Sequence, residues 1–134
     1  MLDAHAALIY TMVLCSAADR EMSDEEMRSI GDIVQHLPMF RNYDVDKLPV
    51  TAAACADRLG EDDGLDKVLD DVQEALPANL RETAYALACD IVAADLEASQ
   101  EELRLLEMIR HRLGISRLSA AAIEHGAKVR HATV

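Results

Sequence analysis

One ten-residue stretch occurs twice in this chain. Residues 17–26 read Ala-Ala-Asp-Arg-Glu-Met-Ser-Asp-Glu-Glu, and residues 93–102 read Ala-Ala-Asp-Leu-Glu-Ala-Ser-Gln-Glu-Glu. A constant offset of 76 pairs Asp19 with Asp95, Glu21 with Glu97, Ser23 with Ser99 and Glu26 with Glu102. The apolar positions that follow keep the same register: Met27, Ile30, Ile33 and Leu37 fall on Leu103, Leu106, Ile109 and Leu113. A repeat of this kind means one supersecondary unit used twice.

Each copy marks the start of a helix. Ser-x-x-Glu before an apolar run is a capping box, in which the serine hydroxyl and the glutamate side chain satisfy each other's backbone amides. The chain on either side has helical periodicity. Residues 2–18 form a first helix with so wide an apolar face (Leu2, Ala6, Leu8, Ile9, Met12, Val13, Cys15) that it belongs at the centre of the fold. A turn at 19–22 leads to a second helix, from Ser23 to Pro38. Residues 38–49 are irregular, with Met39, Phe40 and Tyr43 plugging the edge of the core.

A short alanine-rich helix covers 50–59 and stops at Gly60. An acidic turn at 60–64 precedes a fourth helix ending at Pro77. A fifth runs from Leu80 to Ala94 with Asn79 as its cap, a sixth from Ser99 to Gly114, and a last one over 117–130. The core has no tryptophan, one phenylalanine and three tyrosines, so Ala, Leu, Ile, Val and Met must fill it, and no strand pattern occurs. The expected fold is all-α, about seven helices in one domain (residues 1–134), with two pseudo-symmetric helical hairpins.

Charge narrows the function. Residues 1–109 carry 24 acids and 8 bases, and residues 110–134 carry 5 bases and 1 acid, so −16 and +4 sum to the formal −12. A strongly acidic chain lacks the basic footprint that nucleic acid requires. The basic C-terminal segment is expected either to fold back on the acidic body or to touch an anionic surface. Four net charges among alanines give a peripheral membrane contact little basis. No apolar run reaches the ~20 residues needed to cross a bilayer. The start Met-Leu-Asp-Ala-His lacks the basic and apolar regions of a secretory signal. Cys15, Cys55 and Cys89 lie inside apolar patterns with no Cys-x-x-Cys, and read as reduced, buried thiols of a cytoplasmic protein.

The chemistry-bearing residues are the acids of the two hairpins. Asp95 follows a helix C-terminus, where a negative charge opposes the helix dipole. Glu102 opens the next helix, and a short antiparallel connection brings the two carboxylates into one small volume. Asp19 and Glu26 repeat the arrangement. Three readings follow: hydrogen bonding to free amides that simply closes the hairpin, a site for a hard divalent cation such as Ca²⁺ or Mg²⁺, or paired general acid–base chemistry, which no neighbouring nucleophile or histidine supports.

An EF-hand is excluded. With Asp19 at loop position 5 and Glu26 at position 12, positions 1 and 3 fall on Cys15 and Ala17, and in the second copy on Ile91 and Ala93. A cation would therefore be shared between helices, with Asp90 as a further ligand. Glu61, Asp62 and Asp63 read as a solvated cap, and none of the five histidines pairs at metal-ligand spacing.

The doubled Ala-Ala-Asp-x-Glu-x-Ser-x-x-Glu between amphipathic helices resembles the tellurite-resistance TerB family and its TerB-like relatives, whose usual form is Ala-Asp-Gly-x-(Ile/Val)-x-x-x-Glu. The likeness extends over about residues 4–130. It implies a helical, internally pseudo-symmetric bacterial protein, cytoplasmic or membrane-associated, that binds a divalent metal through clustered acids and serves stress responses by complex formation. Residue by residue it points to Asp19, Glu26, Asp95 and Glu102. The family's glycine after the aspartate is Arg20 in one copy and Leu96 in the other. The turn has thus lost its least strained residue, and Arg20 offers a cation in place of a metal. The combined expectation is a binding or scaffold module rather than an enzyme, with an unidentified protein partner. The alternative is a metal-free helical interaction domain.

Overall fold

The computed structural model describes residues 2–17, 22–94 and 98–134. The described residues form seven α-helices: α1 (Ala4–Ser16), α2 (Asp24–His36), α3 (Leu48–Leu59), α4 (Gly64–Ala75), α5 (Arg81–Ala94), α6 (Gln100–Arg112) and α7 (Arg117–Arg130). Short 3-10 turns occur at Pro38–Phe40, Val45–Lys47 and Ala78–Leu80. Among the described residues there is no strand. α2 and α6 keep the 76-residue offset at both ends.

α1 is the axis of the molecule. Its N-terminus is capped by Asp3, whose carboxylate accepts the Ala6 amide at 2.8 Å. Every residue from Ala7 to Ser16 is buried. A helix apolar on all sides can only be stable inside a core. Of its buried hydroxyls, that of Thr11 donates to the Ala7 carbonyl at 2.8 Å, whereas that of Ser16 has no hydrogen-bond partner among the described residues. Ala7, Ala84 and Ala88 are fully buried where α1 packs against α5. Side chains that small let the two helices approach closely, which explains the scarcity of aromatics.

The repeat proves larger than a hairpin. α1 packs on α2 and α3, and α5 packs in the same way on α6 and α7. Each unit is therefore three helices, and α4 spans between them, touching α1, α3 and α6. The two units end their second helices differently at matched positions. α2 stops at Leu37 because Pro38 has no amide to continue it. α6 stops in a Schellman motif: Gly114 has φ +67°, its amide donates to the His111 carbonyl, and the Ile115 amide donates to the Arg110 carbonyl at 3.0 Å.

The connection after α2 spans residues 37–47 and folds back as a plug. Phe40 is buried, and the His5 ring stacks on it with centroids 5.3 Å apart. Tyr43 meets the same imidazole edge-on, and His5 Nε2 lies 2.8 Å from the Met39 carbonyl. The expected plug of Met39, Phe40 and Tyr43 is present, organised by a histidine that periodicity did not single out. The connection after α6 covers only 113–116.

Two local expectations change. α3 starts at Leu48 rather than 50, because Pro49 fits a first helical turn. α5 grows directly out of the Ala78–Leu80 turn, so Asn79 lies within that turn and does not cap the helix.

The basic segment does fold back. Arg112 bonds Asp70 at 2.6 Å and Asp66 at 3.3 Å, both on α4, and Arg130 bonds Asp90 on α5 at 2.6 Å. Among the described residues, no helix is long and apolar enough to cross a membrane.

Candidate functional site

Both capping boxes form. The Ser23 hydroxyl accepts the Glu26 amide at 3.1 Å while the Ser23 amide donates to Glu26 Oε1 at 3.0 Å. The Ser99–Glu102 pair repeats this at 3.1 and 2.9 Å. The surroundings of the two glutamates differ. Glu26 is half-buried, whereas Glu102 is only 5% exposed. Cys15, in the last turn of α1, lies close enough to Glu102 and Cys89 for their charges to raise its pKa further. The second cap therefore sits where the two repeats meet, beneath the end of α1.

A serine cap is worth ~1 kcal/mol, within a range of about 0.5–2. Ser23→Ala is expected to cost at the low end and Ser99→Ala at the high end, because only the latter disturbs a buried carboxylate. Urea unfolding of the two variants checks the order, and equal losses would contradict it.

Asp19 and Asp95 lie outside the described residues, as do Arg20 and Leu96. Among the described residues, no three His, Cys, Asp or Glu side chains come together as a metal-binding group. The Glu102 carboxylate makes no ion pair with any described residue, and the one hydrogen bond it accepts there is from the Ser99 amide of its own cap. Asp90 is engaged differently, with Arg130 at 2.6 Å and His131 Nε2 at 3.5 Å. Glu61 is held by Arg58 and Lys67, each at 3.2 Å, as a solvated turn would have it.

The three cysteines are free and buried. Removal from water pushes the Cys55 and Cys89 thiols up to about 12 and that of Cys15 higher still. Thiols held in the protonated form are poor nucleophiles.

A cleft of about 820 Å³, which apolar periodicity did not foretell, is bounded by α5, α6, α7 and the C-terminal residues. At its edge the Tyr85 hydroxyl donates to Glu124 Oε2 at 2.6 Å. Burial, and then this bond, raise the Tyr85 pKa. The signal that could have found the cleft is a mismatch within the repeat: buried Val34 of the first unit corresponds to Arg110 of the second.

The family model described as "Tellurite resistance protein TerB" matches residues 5–125. No curated protein and no solved structure matches the chain significantly.

Proposed function

The chain belongs to the TerB family, and on that premise we propose that it is a binding module of a stress response, holding a divalent cation of the Ca²⁺ or Mg²⁺ type at the junction of its two repeats. The single observation behind this reading is Glu102, a buried carboxylate with no cation beside it among the described residues. Burying an unpaired charge costs several kcal/mol, so an ionised carboxylate there calls for a counter-charge. A bound cation supplies one.

The ligands in this reading are Glu102 and Asp95 of the second copy with Asp19 and Glu26 of the first. The position of Glu102 beside the last turn of α1 favours one site shared by both copies, because the chain leaves α1 toward Asp19 from there. Asp90 is the least suited member, its charge being engaged by Arg130. The cation would tie the ends of α1 and α5 to the starts of α2 and α6. The buried, protonated thiols support a binding role over catalysis.

The test is the melting temperature of chelator-stripped protein with millimolar Ca²⁺, Mg²⁺ or Mn²⁺. A cation that binds only the folded state adds about 2.7 kcal/mol at a hundred times its dissociation constant. Glu102→Gln keeps the cap, since an amide oxygen accepts the Ser99 amide, yet removes the charge. It should abolish the rise, as should Asp95→Asn. No rise with any cation sinks the proposal, and a rise that survives both variants moves the cation elsewhere.

A second reading, a metal-free interaction module, draws on α7, whose outer face presents Leu118 and Val129 at 83% and 56% exposure. Eleven residues apart, they share one helix face. Under this reading Leu118→Ser with Val129→Ser should abolish capture of a protein partner while leaving the melting temperature unchanged.

A further inference from the structure

The second helices of the two repeats are buried unequally at matched positions. In the first unit, Ile9, Val13, Ile30 and Val34 are covered, none more than 2% exposed. Their counterparts at the 76-residue offset are Tyr85, Cys89, Leu106 and Arg110, which all line the cleft between α5, α6 and α7; Tyr85 and Cys89 remain buried, and Leu106 and Arg110 are partly exposed. Leu103, the counterpart of half-buried Met27, is 48% exposed there. The space that the first unit fills with its own chain is open in the second. Its walls have nonetheless stayed apolar, with Val92, Ala93, Leu103, Leu106 and Ala127 from three helices. At about 820 Å³ the cleft is in the size range of small-molecule sites.

The charges at the mouth define what fits. Arg110 and Lys128 face the cleft from α6 and α7 and neither makes an ion pair among the described residues, on a chain of net charge −12. Each has an acid one helical turn away that it does not bond. Glu124, four residues before Lys128, is taken by the Tyr85 hydroxyl at 2.6 Å. Arg110 bonds the His111 ring at 3.3 Å rather than Glu107. His131, also at the mouth, leans on Asp90 at 3.5 Å. Arg110 and Lys128, unpaired among the described residues although Glu107 and Glu124 also line the cleft, match a ligand with an anionic head and an apolar tail. We propose that the cleft between α5, α6 and α7 binds a single-chain anionic amphiphile, a long-chain carboxylate, with its tail along Val92, Leu103 and Leu106 and its carboxylate between Arg110 and Lys128. Among the described residues the site shares no carboxylate with the cation reading, so the two stand or fall separately.

Calorimetric titration with laurate below its micellar concentration is the test, with dodecanol and acetate as probes of tail and head alone. Laurate should bind one to one, dodecanol about tenfold more weakly or worse for want of the charge-assisted bonds, and acetate not measurably. Arg110→Ala with Lys128→Ala should bring laurate down to the dodecanol level and leave dodecanol unchanged. Ala93→Phe, which fills the slot from a half-buried position, should weaken both. An unchanged melting temperature establishes that both variants have folded. Equal affinity for laurate and dodecanol in the unmodified protein overturns the proposal. So does laurate binding that is indifferent to the variants, and so does binding only to anionic vesicles with no uptake of monomeric laurate.

Discussion

Raising the pH beyond about 9 is expected to unfold this protein steeply. Cys15, Cys55 and Cys89 are buried, and burial raises all three thiols, Cys55 and Cys89 to about 12. An unfolded thiol ionises near 8.5. Between those values the unfolded chain gives up protons that the folded chain retains, so unfolding releases protons and stability falls as pH rises. The stabilisation is complete below the unfolded pKa and disappears as pH climbs to the folded one. Each thiol contributes a slope of about 1.4 kcal/mol per pH unit, and three together about 4. Against a typical total of ~5–15 kcal/mol, two or three pH units suffice. Tyr85, raised by burial and by its bond to Glu124, acts in the same direction above pH 10. Urea midpoints measured from pH 7.5 to 11 check this, and Cys55→Ala with Cys89→Ala should remove roughly two-thirds of the thiol slope. A stability that is flat to pH 11 would show that the thiols are reached by water.

Gly64→Ala is expected to destabilise by about 3 kcal/mol or more, at the upper end of what overpacking costs. A methyl group at Gly64 would lie 2.1 Å from the Leu59 carbonyl oxygen and 2.5 Å from its carbon. Both are backbone atoms, so relief requires α3 and α4 to move apart. Gly31 supplies the opposite case. It lies inside α2, the nearest atom to its added methyl is Leu48 Cδ2 at 3.9 Å, and Gly31→Ala should stabilise by ~0.5–1 kcal/mol through helix propensity. Thermal or urea unfolding of the pair should show opposite signs, and a neutral Gly64→Ala would mean that the α3–α4 corner is loose.

That corner shows where the sequence was legible and where it was not. The helix end at Gly60 could be read, but its backbone is right-handed at φ −76°, and the left-handed residue is Asp63 at φ +56°. Which residue of a turn takes the special conformation depends on how the next helix must approach, and that is a tertiary matter. The elements themselves were legible because each has an apolar period and a chemical stop: Ser23 and Ser99 as caps, Pro38, Pro77 and Gly114 as ends. The central place of α1 was legible from residues 7–16, where no side chain is charged. The third helix of each unit was not seen as part of the repeat, because α3 and α7 match only in packing.

The site divides in the same way. Capping boxes are local, so Glu26 and Glu102 were found. The unequal burial of those two glutamates, the engagement of Asp90 by Arg130 and the open cleft all depend on residues distant in sequence. Only the change from Val34 to Arg110 left a trace of the last.

The all-apolar α1 also sets the order in which the protein can be made. It leaves the ribosome ahead of its main partner, α5, which begins only at Arg81, and it has the most apolar surface to hide. At ~5–20 residues per second, roughly 4–15 seconds pass between the two. In that interval α3 and α4 can shield only part of the α1 surface. The nascent chain is thus committed to carrying an exposed apolar helix until α5 (Arg81–Ala94) has been translated. Chaperone contact with α1, or a slow final step of folding that awaits α5, follows from placing the central helix so far ahead of its partner.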